Sequence, residues 1–165
     1  MHTYAELVPR DHPTVVTVAA ILADAGVSGR VVALSDPAPT ASAAAAALGC
    51  PVGAIANSLV FDADGARVLV LTSGAHRVDT DLVAARLGAD TVRRACASFV
   101  RAHTGQPIGG VAPVGHPRPI PTLVDTWLAE HATVWAAAGH PHTVFPTTFD
   151  ELVRLTGGTA VDVGA

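Results

Sequence analysis

Eleven residues in the middle of the chain, Gln106-Pro107-Ile108-Gly109-Gly110-Val111-Ala112-Pro113-Val114-Gly115-His116, combine three glycines with two prolines. Glycine permits positive φ and close approach of the main chain to a partner. Proline fixes φ and removes a donor. Together they describe a shaped loop whose main-chain amides, more than its side chains, meet something. Along Gly109-Gly110-Val111-Ala112-Pro113, the successive N–H groups ahead of Pro113 would make a small anion-binding nest. A donor aimed at a developing oxyanion lowers a barrier by about 3 kcal/mol. The alternative is an ordinary surface turn.

Asn57 and Ser58 lie inside an otherwise apolar run, AIANSLVF. Asparagine is a poor strand former, so its presence there needs a local reason. Strand alternation puts Asn57 and Leu59 on one face and Ser58 and Val60 on the other. The plain reading is an asparagine on a solvated face; the functional one is an amide lining a pocket. His140 and His142 in GHPH raise a metal reading, with Asp150 or His116 completing a set. No H-E-x-x-H or Cys/His framework accompanies them, so no metal and no other cofactor is expected. Cys96 and His103 are spaced seven apart. On a helix that is about 10 Å along the axis, too far for a nucleophile and its base. Ser73 in TSGAH lacks the nucleophile-elbow pattern. Cys50 and Cys96 are expected as small core residues.

The elements that must carry these residues are legible from periodicity. Thr14–Ala25 repeats apolar residues at helical spacing and stops at Gly26. Thr40–Leu48, after Pro39 and before Gly49, is an alanine-rich helix. Ala54–Phe61 and Arg67–Leu71 read as a hairpin around Asp62-Ala63-Asp64-Gly65. Helices are expected over Asp79–Leu87, Arg94–His103 and Phe149–Thr156, with a helical turn at Thr126–His131. Strands are expected at Arg30–Leu34, Ile120–Asp125, Thr133–Ala137, His142–Phe145 and Thr159–Val163. This irregular interleaving predicts a mixed α/β or α+β sheet rather than a doubly wound one.

Bulk properties narrow the class. A chain of 165 residues is most simply one domain, here 1–165. Aromatic residues are only 4%, so the core must be filled by alanine, valine and leucine. A net charge of −4 argues against an extended basic nucleic-acid surface but not against a local one. Arg93, Arg94 and Arg101, with Arg77 and Arg86, could form such a patch or a solvated helix face. There is no lysine anywhere. Two cysteines make no disulfide framework, and MHTYAELVPRDHP has no apolar leader segment. A cytoplasmic protein with no membrane contact is the expectation.

Three blocks in order carry a family resemblance: AIANSLVFDADGARVLVLTSGAHRVD, then GQPIGGVAPVGH, then WAAAGHPHTVFPTTFDELVRLTGG. The combination resembles the YbaK/EbsC family, the proteins like the editing domain of prolyl-tRNA synthetase, and the resemblance covers roughly Val15 to Val163. The resemblance implies a mixed sheet, partly barrel-like and surrounded by helices. It also implies hydrolysis of the ester of mischarged tRNA, commonly tRNA for proline, with the tRNA acceptor end as partner and a synthetase as a second one. Family members usually carry a lysine in I-A-K-[ST]-L; here that position is Asn57, and no other lysine can replace it. An amide keeps hydrogen bonding and loses the charge.

On that footing Asn57, Gly109 and Gly110 are the candidate catalytic residues. Ser58, Val111, Ala112, Pro113, Gly115 and His140 are the candidate substrate-binding ones, His140 standing where relatives carry a pocket-side polar group. Water is the expected nucleophile, aided by the substrate's ribose hydroxyl. The competing expectation, because the lysine is replaced, is a non-enzymatic binding module for tRNA ends, nucleotides or aminoacyl compounds.

Overall fold

The computed structural model describes residues 12–27, 29–38 and 40–164. Pro39 and the first eleven residues, read above as a helix start and as lacking a leader, lie outside the described residues. Five helices are described: α1 (Pro13–Asp24), α2 (Ala41–Leu48), α3 (Thr80–Leu87), α4 (Ala97–Thr104) and α5 (Phe149–Thr156). The strands are β1 (Val32–Ala33), β2 (Ile55–Ala63), β3 (Ala66–Ser73), β4 (Val92–Arg94), β5 (Thr122–Asp125), β6 (Val134–Ala137), β7 (Thr143–Thr147) and β8 (Thr159–Val161). They form one mixed sheet in the order β1-β7-β6-β2-β3-β5-β8, with β4 added to β2. Among the described residues the pairing path stays open between β1 and β8.

The long β2–β3 hairpin is the spine, and its turn chemistry fixes its register. Asp64 and Gly65 both take positive φ, +53° and +90°. That pair supplies the two-residue turn whose twist matches the flanking strands. Asp62 Oδ1 accepts from the Gly65 N–H, and the Asp64 carboxylate accepts from the N–H groups of Asp90 and Thr91. Those bonds to Asp90 and Thr91 hold the Asp64 carboxyl below its ordinary pKa.

The VLVL run of β3 is buried on both sides, which is why it reads as continuous rather than alternating. Leu69 and Leu71 face a core shared with Val18 and Leu22 of α1 and Leu152 of α5. Val68 and Val70 face a second core with Val83 and Ala84 of α3. A third cluster seats Ala44 and Ala45 of α2 on Ile55 and Val144. The Thr40 hydroxyl caps α2 by accepting from Ala43 N–H, and Gly49 ends it in the left-handed region.

The segment Arg94–His103, expected as one helix, is divided. Val92 is buried in the second core, and Val92–Arg94 pairs antiparallel with Phe61–Ala63. The helix begins only at Ala97. Cys96 stands before it, exposed rather than in the core, and Cys50 is half-buried. The hydrogen bond from Ser98, first, and then the Phe99 N–H lower the Cys96 thiol pKa, whereas burial raises that of Cys50.

Behind the hairpin sits a polar knot. Asp125 is fully buried; its Oδ2 accepts from Ser73 N–H and Thr72 Oγ1 and meets His76 Nδ1 at 2.9 Å. Its Oδ1 accepts from Trp127 N–H, and the His76 ring stacks on Trp127 at 3.6 Å. This one carboxylate joins β3, β5 and the turn after β3. Asp125→Ala leaves several buried donors without an acceptor. The expected cost is about 3 kcal/mol, read as a lower urea midpoint with an unchanged slope.

Candidate functional site

One edge of β2 is incomplete. β3 covers it from Ala56 to Ala63 on one side. On the other side β6 runs parallel to Ile55–Ala56, and β4 pairs only with Phe61–Ala63. The Ile55 carbonyl accepts from Gly74 on the β3 side, and the Val60 carbonyl accepts from Ala95 on the opposite side. Alternation therefore turns the main-chain N–H and C=O of Ser58 toward the uncovered edge. The gap between β6 and β4 is the floor of a cleft.

The glycine-proline loop forms one wall, and α2 with its preceding residues the other. The cleft has two chambers that share Thr40, Ala41, Asn57, Ser58, Gly109 and Val111. The inner one, about 40 Å³, is walled by Ala38, Ala44, Ala136 and Ala137 together with the larger Ile55 and Trp135. The outer one, about 220 Å³, adds Leu59, Arg94, Ala95 and Ile108.

Ser58 supplies the clearest polar signal. Its Oγ is buried and has no hydrogen-bond partner among the described residues. A buried hydroxyl left unpaired costs about 1–3 kcal/mol, so such a group is retained where something else satisfies it. The half-buried Asn57 amide beside it also makes no side-chain hydrogen bond to a described residue.

The loop is held from within by Gln106, which is fully buried. Gln106 Oε1 accepts from Ala112 N–H, and its Nε2 donates to Val114 O at 3.3 Å. The Gly110 N–H is spent on Pro107 O. The expected nest of successive free amides is therefore corrected: Gly110 and Ala112 donate inside the loop. Gly109 and Val111 line both chambers, and their N–H groups have no described acceptor.

Gly110 has another function. A Cβ there would stand 2.7 Å from His140 C and 2.8 Å from Pro141 Cδ. The missing side chain lets the loop press on that segment.

Of the nine sequence-derived site residues, Asn57, Ser58, Gly109 and Val111 converge on the cleft. Ala112 is buried beneath the loop. Pro113 and Gly115 face a different groove, with His116 and Arg118. His140 supports Gly110 with its main chain, while its ring lies 5.3 Å from His12 and 5.2 Å from His142. Neither chamber has the His140 ring on its wall.

Among the described residues one group could in principle hold a metal: His76, Asp125 and Asp162. Both Asp125 oxygens already accept hydrogen bonds, so the set fits a structural knot better than a coordination sphere.

Three histidines near the loop have their pKa values pushed down. Burial lowers the pKa of His116, partly offset by its Nε2–H donating to Ala112 O. Burial, then repulsion from His142 and His12, lowers that of His140. Burial lowers that of His142 against the pull of Asp36.

Residues 35–155 match the family described as the aminoacyl-tRNA editing domain. The fold is thus that of an editing domain, and the chain is a member of that family. It is similar to a solved structure of a proposed trans-editing enzyme for prolyl tRNA synthetase. The TM-score is 0.86 at 38% identity, over 93% of this chain and 98% of that one. A scaffold protein used for computational epitope grafting gives 0.84 at 38% identity, over 93% and 97% of the two chains. The hypothetical protein APE2540 gives 0.83 at 30%, over 89% and 98%.

Because the three histidine pKa values are depressed in the fold, the unfolded chain takes up protons first as pH falls. The stability these three contribute is fully present above about pH 6.5, the unfolded value, and declines below it. The urea midpoint should fall between about pH 7 and pH 5, and His116→Gln should make that fall shallower.

Proposed function

We propose that the chain is an aminoacyl-tRNA deacylase that hydrolyses mischarged tRNA in trans, tRNA for proline being the first candidate. The observation that carries this reading is the uncovered β2 edge, with its orphaned Ser58 hydroxyl, facing Gly109 and Val111 across a narrow cleft. Family membership and the prolyl trans-editing relative support the substrate class.

An aminoacyl ester places three groups in such a site. The aminoacyl side chain enters the inner chamber, whose small volume favours small side chains. The ester carbonyl lies in the throat, where the amides of Gly109 and Val111 and the Asn57 amide can donate to its oxygen as negative charge develops. The terminal ribose occupies the outer chamber. Water attacks the carbonyl carbon, the bond to the ribose oxygen breaks, and that oxygen leaves with a proton.

No carboxylate or imidazole lines either chamber among the described residues. The base is therefore the substrate's own neighbouring ribose hydroxyl, which relays the proton of the attacking water. Asn57 supplies hydrogen bonds without charge, and Ser58 orients the aminoacyl group through its hydroxyl and its edge amide. The partner is the acceptor end of the tRNA. No helix among the described residues is long and apolar enough to cross a membrane.

The test is a deacylation panel with purified protein and tRNAs carrying different amino acids. Small side chains should be released faster than branched or aromatic ones. Asn57→Ala should lower kcat/KM by roughly 10²-fold and Ser58→Ala by roughly 10-fold, without loss of fold. If the natural chain releases no amino acid while Asn57→Lys does, the protein is instead a binding module that has lost its chemistry.

A further inference from the structure

From residue 91 to residue 124 the chain has no aspartate or glutamate, yet it carries Arg93, Arg94, Arg101 and Arg118. In a protein of net charge −4 this is a strong local reversal of sign. The stretch folds as β4, α4 and the glycine-proline loop, and Arg94, Val100 and Ile108, one residue from each, line the outer chamber. Val100 of α4 lines the outer chamber and Ala102 and His103 line a second groove, so α4 lies between two sites that carry arginine. Arg94 lines the outer chamber. Arg101 is exposed on α4. Beyond α4, Arg118 and His103 line a shallow groove of about 250 Å³ together with Arg67, which joins from β3.

Arg67 is held there by donating to Pro119 O at 3.1 Å. The carboxylate that enters this row is Asp62, between Arg67 and Arg93 in the strand register and 3.9 Å from Arg93 Nε. Every fixed cation of these two sites is arginine, the side chain that pairs with phosphate through two parallel donors and stays charged at all working pH values.

We propose that this arginine-bearing flank holds the phosphodiester backbone of the RNA strand whose 3′ end enters the cleft. The strand would run from Arg94 at the outer chamber, over α4 at Arg101, to the groove at Arg118 and Arg67. The inference rests on the deacylase reading for the identity of the strand, but its contacts are to phosphate and carry no base sequence. Affinity is then set by counterion release, and specificity is left to the chambers. The flank also explains how a net-acidic domain approaches a polyanion, since the stretch 91–124 adds arginines and no carboxylate of its own.

The experiment uses the full chain and two exposed-arginine variants, Arg101→Gln and Arg118→Gln, singly and combined. Arg30→Gln, at an exposed arginine outside the stretch, is the control. Two readouts are taken. The first is binding of a non-aminoacylated RNA hairpin with a single-stranded 3′ end, followed by fluorescence anisotropy across a salt series. The second compares hydrolysis of an aminoacyl-tRNA with that of the corresponding aminoacyl-adenosine, which has no phosphate chain.

Each substitution should make the plot of log affinity against log salt shallower by roughly one unit, and Arg30→Gln should leave it unchanged. With aminoacyl-tRNA the double variant should raise KM roughly tenfold at constant kcat. Aminoacyl-adenosine should be hydrolysed at the natural rate. Natural affinity and salt slope in the double variant overturn the proposal, as does an equal loss in Arg30→Gln or absence of RNA binding by the natural chain. Salt-sensitive RNA binding that depends on Arg101 and Arg118, with neither ester hydrolysed, supports the flank and overturns the deacylase reading instead.

Discussion

The structure depends on an unequal pairing of one strand. β2 is central, fully laddered to β3, yet on its other edge two short strands meet it only at its ends. A central strand must satisfy its main-chain groups, and Ser58 is left facing an opening instead. The opening persists because both neighbours are pinned. β6 is antiparallel to β7 over four residue pairs, and Val92 of β4 is anchored in the second core. Neither can slide along β2 without turning its buried residues outward. The cleft is therefore a property of the sheet, and the loop and α2 complete it.

The loop illustrates how rigidity is built from main chain. A glycine-rich segment loses much conformational entropy when it orders. Gln106 offsets this by bonding Ala112 and Val114 from inside, and His116 bonds the Ala112 carbonyl as well. The Asp125 knot does the corresponding work on the far side of the hairpin. Thr72, which it binds, is the register partner of Asn57. Both sides of the throat are thus fixed by a buried polar side chain that does not itself touch the chambers.

Much of this was legible in the sequence, for identifiable reasons. The two-residue turn, the capped alanine helix α2 and the apolar β3 run follow from local chemistry that tertiary contacts reinforce. Asn57 and Ser58 stood out because polar residues interrupt an apolar strand, and the structure places both in the cleft. The misreadings came where long-range pairing decides. Val92–Arg94 has no strand signature of its own, and only the vacant end of β2 recruits it. The amides of Gly110 and Ala112 seemed available because the acceptor that consumes one of them, Gln106, is a single neutral residue whose burial has no local mark. His140 was assigned to the pocket by position, whereas its ring turns to His12 and His142 and its main chain faces Gly110.

Uncovered hydrogen-bonding groups on a β-strand are ordinarily a hazard, because another polypeptide can add itself there and begin aggregation. On β2 the exposed stretch is bounded by β6 and β4 and recessed behind a loop and a helix. An incoming strand would need several consecutive residues to dock and finds room for scarcely one. A fragment with a single donor and acceptor meets no such obstacle. The interruption in the ladder therefore acts as a size filter against polymer growth, and the protein can keep a reactive edge at its centre without becoming a seed for fibres.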